Sequence, residues 1–561
     1  MTNRFVDSAI GSDANDGLAA TVGGGHGPKA TIQAAANLTN PGDIVFIAPG
    51  NGYGGGTGQG LLLVIQRSGS VGRGWGYYDP TNPATAPSAT PTVAAPYPGP
   101  DPLTAITYTK LSSTMPVLNG TQGWQLIIMG DPNSATDIDC HDIIIDGLEC
   151  AGWAQTLNPQ TAWEANQSGA VVNNSVYMGN GICCNAGSRL TDNCLRVLIK
   201  NCYVHDFPGS GITVTASDYV AVCGNTVRDS GLYSTYATSA ISFYLPVSFD
   251  GNTGTKLFCN GNIIFNNRNV VPNWGNFPGG MGSTTTTAAR VAGNTSIAVA
   301  STAFSLFGTT LAQWATNRQA MFCSSTNPTA IAAGTRVAAA SGTTITLDRG
   351  LLGNLPSGAT IVFGLMSDGG GIIYDTFSGQ AYNGRSQIVN NLVVHNGCYG
   401  ILANSGQNTD IMFNTCYLNQ QEFWNGEIFM QGQTGTSSVV NNIVQAPVSG
   451  DVLSDTLISQ NSNTGTTFRN NISLGGDNVA LPGTNNLSNT DPQMIAPTVS
   501  LTYPVNAAVF GLQASSPAIG FANGTRTVDL LGKNGAVGGT SDLGAIERQP
   551  QTSGYARHRR W

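Results

Sequence analysis

A short β-branched run centred on asparagine recurs along this chain and constrains its fold more than any other feature. The runs are IKNCYV (Asn201), VCGNTV (Asn225), CNGNII (Asn262), IVNNLVV (Asn391), MFNTCYL (Asn414), VVNNIV (Asn442) and FRNNIS (Asn471). Successive asparagines are separated by 24, 37, 129, 23, 28 and 29 residues. A period in the twenties with one strand group per repeat indicates a solenoid of stacked coils. We expect the asparagines to form an internal ladder in which each amide bonds to the next.

A second family of strands lies between the asparagine runs and is centred on isoleucine. Its members are GITVT (Ile212), AISFY (Ile241), GIIYD (Ile372), GILAN (Ile401) and EIFMQ (Ile428). Alternate residues of a strand face the same way, so inward isoleucines bring a second inward column with them. That column is Val214, Phe243, Tyr374, Ala403 and Met430. An almost entirely apolar column predicts an all-β fold, a right-handed parallel β-helix.

The composition of the chain excludes some classes of binding partner. The net charge of −8 and the pI near 5.0 exclude the basic face of a general nucleic-acid binder. No apolar run approaches the roughly 18 residues of a membrane span. The 11 cysteines, none in a CxxC pair, are expected to be reduced and buried, with no metal site among them.

The opening FVDSAIGSDANDGLAATVGGGHGPKATIQAAANLTNPGDIVFIAPGNGY resembles the first coil of bacterial and phage right-handed β-helix proteins. In that resemblance TIQAAANLTN is the N-terminal capping helix and DIVFIAPG the first strand. The end, from SSPAIGFANG to DLGAIE, is similar to the closing segment of the same group. The group contains polysaccharide lyases, glycoside hydrolases and phage tailspikes. The resemblance therefore implies the fold and a polysaccharide partner, and leaves the activity open.

Changes in composition predict the domain organisation. We expect a cap and first coil over 1–50, and a Gly/Pro-rich long loop over 51–120, where proline density disfavours central strands. Coils follow over 121–283 and 367–480, and a closing segment and tail over 481–561. Between the two sets of coils, 284–366 alternates small polar and β-branched residues. It predicts a small inserted β module, which accounts for the widest gap between asparagines.

The outward positions of the isoleucine strands are the first candidate site. Three residues after each isoleucine stand polar residues that could bond along a sugar chain: Thr215, Tyr244, Asp375, Asn404 and Gln431. Directly before each isoleucine stand small residues and one acid, predicted to face outward as well: Gly211, Ala240, Gly371, Gly400 and Glu427. An exposed β-helix face that binds no ligand carries the same types of residue. The pattern alone therefore does not distinguish a sugar-binding face from an ordinary exposed face.

Asp375 is the best single catalytic candidate. Tyr244 lies one coil away, about 4.8 Å by strand spacing, so a carboxylate and a phenol could share proton transfer. Asp368, Arg385 and His395 complete the catalytic set, as a nearby acid, a carboxylate-binding cation and a group that titrates near neutrality. Glu427 lies about 16 Å from Asp375 in this register. Paired glycosidase carboxylates are about 5 Å or 6.5–9.5 Å apart, so these two do not form such a pair.

A second cluster is predicted at the turns after the asparagine strands. It contains His205, Asp206, Arg228, Asp229, Tyr233 and Tyr236, with aromatic rings beside carboxylates as in sugar clefts. Arg228, Lys256 or Arg385 could neutralise a uronate in a lyase. No cofactor is required by this interpretation. Calcium is an alternative that needs convergent carboxylates, some of which Asp206, Asp229 and Asp250 could supply.

Two classes of function remain. One is a polysaccharide-degrading enzyme, a glycoside hydrolase or lyase of the kind carried on phage tailspikes. The other is a non-catalytic virion or cell-surface adhesin that binds glycan on the same face. The polar, turn-rich start shows no signal peptide, which predicts an extracellular or virion-tail protein exported without an N-terminal signal. A homotrimer is the oligomer that this interpretation favours.

Overall fold

The chain winds through three long parallel sheets, and each coil contributes one strand to each sheet in turn. The computed structural model describes residues 1–54, 61–130, 140–167, 175–184, 194–234, 238–271, 281–303, 305–306, 309–316, 321–365, 369–377, 381–422, 426–433, 435–447, 458–461, 465–476 and 480–549. Connections between parallel strands of one sheet are right-handed. The predicted fold class, a right-handed parallel β-helix, is confirmed.

The strands of each sheet stack in register along the helix axis. The first sheet contains Asn3–Val6, Ile44–Ile47, Ile106–Lys110, Cys140–Asp146, Cys194–Lys200, Asp218–Cys223, Thr255–Asn260, Arg385–Val389, Thr409–Met412, Ser437–Val440 and Thr466–Arg469. The second contains Gly50–Tyr53, Pro116–Asn119, Glu149–Ala151, Tyr203–His205, Thr226–Arg228, Ile263–Phe265, Leu392–Val394, Thr415–Tyr417, Ile443–Gln445 and Ile472–Leu474. The third contains Leu63–Ile65, Gln125–Met129, Asn180–Cys184, Ile212–Thr215, Ser239–Tyr244, Gly370–Asp375, Ile401–Asn404, Ile428–Gln431 and Ile458–Asn461.

Helices and antiparallel strands lie outside these coils. The α-helices of the described residues are Ile32–Ala36, Pro159–Gln167, Ser175–Met178 and Leu311–Thr316. Antiparallel pairing joins Met281–Thr285, Thr360–Leu365 and Met321–Ser325, and joins Ser296–Ala298, Thr344–Leu347 and Val337–Ser341. Two-stranded pairs join Ser305–Leu306 with Thr309–Thr310, and Gly76–Tyr77 with Pro98–Gly99. The antiparallel strands between 281 and 365 enclose an apolar core of their own.

The prediction for residues 51–120 is wrong in part. The strands Leu63–Ile65, Ile106–Lys110 and Pro116–Asn119 belong to the three coil sheets. The structure confines the irregular stretch to the residues between them, which lie against the outer face of the first sheet. The first and last parts of this region supply the alternating apolar residues that a coil needs, and composition averaged over 70 residues conceals them.

The predicted inward columns of the third sheet are confirmed. Ile212, Ile241, Ile372, Ile401 and Ile428 stand in one register and are fully buried. Their partners Val214, Phe243, Tyr374, Ala403 and Met430 belong to the same core cluster. Phe243 and Tyr374 pack ring to ring at 4.4 Å between centroids. The coil interior is therefore a continuous stack of large apolar side chains.

The asparagine ladder forms at the corner between the first and second sheets. Each side-chain oxygen accepts from the backbone N–H and the amide of the preceding coil; the Nδ2 to Oδ1 distance from Asn391 to Asn414, for example, is 2.9 Å. The chain of bonds runs through Asn225, Asn262, Asn391, Asn414, Asn442, Asn471 and Asn486. Asn201 was wrongly assigned to this ladder, because Cys202 occupies the corner position and Asn201 points outward to Asp146.

A second ladder, which the sequence analysis missed, follows five residues later at the next corner. Asn267, Asn396 and Asn419 are linked at 2.8 Å and 2.7 Å between Nδ2 and Oδ1. The repeated offset of five residues from Asn262, Asn391 and Asn414 was the available signal. Two lines of buried amides therefore bind consecutive coils together.

Phe243→Ala should destabilise the protein by about 3–5 kcal/mol, because it opens a cavity between stacked coils. Thr215→Ala removes an outward side chain from the neighbouring coil and should cost no more than about 1 kcal/mol. Thermal or denaturant unfolding of the two variants measures the difference. Equal losses of stability would contradict the inward and outward register.

Candidate functional site

The outward polar column of the third sheet is assembled as predicted. Thr215, Tyr244, Asp375, Asn404 and Gln431 are register partners on consecutive coils. They end their strands, so the chain turns away from the sheet just beyond them. Tyr244 is 42% exposed, whereas Thr215 is largely covered. The column therefore presents one accessible phenol beside a carboxyl and two amides.

Asp375 has the environment of a proton-transfer group. Asn404 Nδ2 donates to its Oδ1 at 2.8 Å, and Thr376 Oγ1 donates to the same oxygen at 3.0 Å. Burial raises the pKa of Asp375, and these hydrogen bonds lower it less than burial raises it. A carboxyl with a raised pKa exchanges a proton nearer to neutral pH than an ordinary aspartate does.

An exposed aromatic residue in the following loop was missed by the sequence analysis. Phe249 is 59% exposed, and its backbone N–H is held by Asp218 at 2.8 Å. The loop that carries it leads directly from Tyr244, whose neighbour Leu245 donates to the Asp375 carbonyl at 3.2 Å. Exposed aromatic rings are surfaces on which sugar rings stack.

The column before the isoleucines faces inward, which contradicts the prediction. A β-carbon on Gly371 would lie 2.4 Å from Val393 Cγ1, and Ala240 belongs to the core. Gly211, Gly400 and Glu427 come directly before their strands, at the corner, and Ala240 and Gly371 face inward although they lie within theirs. Glu427 is consequently 0% exposed and is excluded from any contact with a ligand on the face.

Glu427 closes the second asparagine ladder from within. Asn419 Nδ2 donates to its Oε2 at 2.5 Å, and Gln420 Nε2 donates to its Oε1 at 3.4 Å. Burial raises the pKa of Glu427 to about 8, although both hydrogen bonds act in the opposite direction. The side chain is therefore a protonated, structural group at neutral pH.

The remaining members of the predicted catalytic set are dispersed. Arg385 lies in the first sheet and binds both oxygens of Asp410, which raises the pKa of its guanidinium. His395 lies at the end of a second-sheet strand, where burial and the charge of Arg268 lower its pKa. Asp368 lies outside the described residues. The predicted grouping of Arg385 and His395 with Asp375 is therefore wrong.

Lys256 is also unavailable to a substrate. Its side chain is 0% exposed, and its Nζ is bound by Asp218 at 3.1 Å, Asp250 at 2.8 Å and Asn383 at 3.1 Å. Partial burial raises the pKa of Asp250, but the hydrogen bonds from Lys256, Asn252 and Tyr219 and the charge of Lys256 together lower it below its usual value. This cation holds the corner between the third and first sheets.

The second predicted cluster is brought together around Arg228. Arg228 pairs with Asp206 and Asp229, and His205 Nδ1 lies 2.6 Å from Asp206 Oδ2. Burial works against ionisation of Asp206, but the His205 hydrogen bond and the Arg228 charge hold its pKa below the usual range. Because these side chains bind one another, few of their hydrogen-bonding groups remain for a ligand.

The aromatic residues beside the Arg228 cluster are not the predicted ones. Tyr233 is buried against Tyr177 in a separate apolar cluster, so its predicted place in a cleft is wrong. Tyr236 lies outside the described residues. Tyr203 and Tyr503, which the sequence analysis did not select, stack at 3.7 Å beside His205.

The predicted calcium ligands do not converge. Arg228 lies between Asp206 and Asp229, while Asp250 is bound to Lys256 at a different corner. Among the residues that the structure describes, no group of three or more His, Cys, Asp or Glu is placed to hold a metal ion. Within the same residues, no helix combines the length and apolar character of a membrane span.

Comparison with known proteins adds similarity of chain trace only. No family model matches the chain, and no curated protein matches its sequence. Similar solved structures include pectate lyase Pel9A, with 11% identity, a TM-score of 0.40 and coverage of 98% of this chain and 97% of that one. A rhamnogalacturonan lyase is 9% identical, with a TM-score of 0.37 and coverage of 84% of this chain and 87% of that one. The GH136 lacto-N-biosidase from Eubacterium ramulus is 10% identical, with a TM-score of 0.38 and coverage of 87% of this chain and 67% of that one.

The chain is thus a right-handed parallel β-helix protein. The TM-scores below 0.5 carry no argument about its reaction.

Glu427→Gln should change how stability depends on pH. The folded-state pKa of about 8 lies above the ordinary 4.5, so the native state holds the proton more tightly. That stabilisation is complete below pH 4.5 and is lost as the pH rises through 8. The variant cannot ionise and should exceed the wild type by at least about 1 kcal/mol at pH 9.

Unfolding at pH 5 and pH 9 checks this, with Glu164→Gln, a partly buried helical position, as the matched control. An unchanged difference between the two pH values in Glu427→Gln would show that Glu427 is ionised in the folded protein.

Proposed function

We propose that the protein binds an extended polysaccharide across the outward face of the third sheet and cleaves it beside Asp375. One observation carries this proposal: a carboxyl with a burial-raised pKa stands in register with the exposed phenol of Tyr244. Phe249 supplies an exposed ring in the loop that follows. A sugar could stack on the ring while its glycosidic oxygen or ring proton lies near the two acid–base groups.

The chemistry of such a site is proton transfer. Adjacent strands are about 4.8 Å apart, so the Asp375 carboxyl and the Tyr244 side chain can approach the same sugar. One would accept a proton while the other donates to the leaving oxygen. Asn404 would keep Asp375 oriented through its hydrogen bond of 2.8 Å. Asn404 and Gln431 would bind sugar hydroxyls on the next two coils.

A second candidate is a non-catalytic glycan adhesin. Asp375 is the one carboxylate among the five residues of the outward column, so the paired carboxylates of most glycosidases are not available there. An adhesin would use the same rings and amides to bind without turnover. In either case we propose a site of action outside the cell or on a virion tail, with a trimer as the assembly.

Asp375→Asn preserves the shape and removes the titrating group, so turnover should fall by about 10²-fold or more while binding persists. Released reducing ends measured together with the absorbance of unsaturated uronates distinguish hydrolysis, β-elimination and binding alone. Asp491→Asn, an exposed aspartate in the closing segment, is the control. Full activity in Asp375→Asn would exclude Asp375 as the catalytic group, and a wild type that binds without turnover would identify the adhesin.

A further inference from the structure

A groove of about 800 Å³ lies on the outer face of the first sheet, across a corner from Asp375. Its floor crosses five consecutive strands, from Thr255–Asn260 to Thr466–Arg469. Four strand spacings give a length of about 19 Å. That length suits an oligomeric ligand rather than a single small molecule.

Two distant segments of the chain form the walls of this groove. On one side stands the loop that contains Trp75 and Tyr97, and on the other stands the segment 523–532. The Trp75 ring lies 6.4 Å from Phe258 and 5.9 Å from Tyr219, so the loop is anchored on the sheet. The groove is therefore built by packed elements of the fold and offers aromatic rings to a ligand.

The floor has a polar column beside an apolar column of Val389, Met412 and Val440, and it ends in a cation. Gln387, Ser438 and Thr467 stand in one register column, with Asp410 between the first two. Arg469 is exposed at the last strand, and its guanidinium has no carboxylate partner among the ion pairs of the described residues. In the amide orientation that satisfies both groups, the Asn523 side-chain oxygen accepts from Arg469 Nη2 at 2.5 Å and from Nε and Nη1 at 3.2 Å, so a neutral partner holds the guanidinium and leaves its charge uncompensated. Arg469 is therefore positioned to bind a carboxylate of a ligand.

The carboxylates of this surface are engaged by other groups of the protein. Asp529 is the one acidic residue that lines the groove, and it accepts backbone N–H groups from Leu531, Lys533 and Glu547. Asp410 in the floor column is bound by Arg385 and Ser438. Burial raises the pKa of Asp529 although its backbone hydrogen bonds lower it. Because both carboxylates already accept hydrogen bonds from the protein, we assign the groove to holding a ligand.

We infer that this groove is a second, non-catalytic binding site for a segment of an acidic polysaccharide. The aromatic wall contacts sugar rings, the amide and hydroxyl groups of the floor contact sugar hydroxyls, and Arg469 binds a uronate carboxylate. Because it lies on a different sheet from Asp375, it would retain the polymer while the other face acts on it.

Binding to polygalacturonate, alginate and polyglucuronate, each beside its carboxyl-reduced neutral form, tests this inference. Asp375→Asn serves as the background, so that turnover does not disturb the measurement. Arg469→Gln should weaken binding of an acidic polymer by about tenfold or more. Gln387→Trp, which fills the floor, should weaken it further. Arg349→Gln, at an exposed arginine of the antiparallel region, should bind as the parent does, and circular dichroism confirms folding of each variant.

The outcomes separate this inference from the proposed function. Unchanged binding in both groove variants, or no binding of any acidic polymer by the parent, overturns the second site. Cleavage of short oligosaccharides by Arg469→Gln at the wild-type rate supports two separate sites. Cleavage lost in the groove variants but retained in Asp375→Asn would make the groove the active site and overturn both proposals.

Discussion

Hydrogen bonds between side-chain amides of adjacent coils are the interaction on which the rest of this structure depends. A corner of a β-helix turns the backbone away from its sheet, and the polar groups there are buried without a sheet partner. Each Asn Oδ1 accepts from a backbone N–H and an amide N–H of the preceding coil, as from Asn391 to Asn414. The repeat thereby satisfies its own buried groups, and each coil fixes the position of the next.

Charged side chains stabilise the other corner because they too are paired. Asp142 is fully buried and is bound by Arg196 through two hydrogen bonds of 2.8 Å. Lys256 is held by Asp218 and Asp250 three coils along the same edge. Glu422 binds Arg268 of the coils and Arg336 of the antiparallel region. These pairs attach loops and additional strands to the solenoid, and they remove several conspicuous acids and bases from the list of catalytic candidates.

The two outward faces differ because different groups remain free on them. On the third sheet, burial raises the pKa of Asp375 more than its neutral hydrogen-bond donors lower it, which leaves the carboxyl able to exchange a proton. On the first sheet, the carboxylates are occupied by arginine or backbone donors while Arg469 is left exposed. The proposals of proton transfer on one face and of polymer retention on the other both rest on that difference.

The sequence by itself determined the coil, the inward columns and most of the first ladder. These features repeat locally: strand alternation sends Ile372 and Tyr374 inward whatever the rest of the chain does. Only the tertiary structure decided which polar residues remain free. Glu427 is buried because a corner directs it inward, and Arg385 is bound because Asp410 lies beside it on the next coil. The groove exists because Trp75 and Asp529, more than 450 residues apart, stand on opposite sides of the groove on one face of the first sheet, and no local pattern records such an encounter.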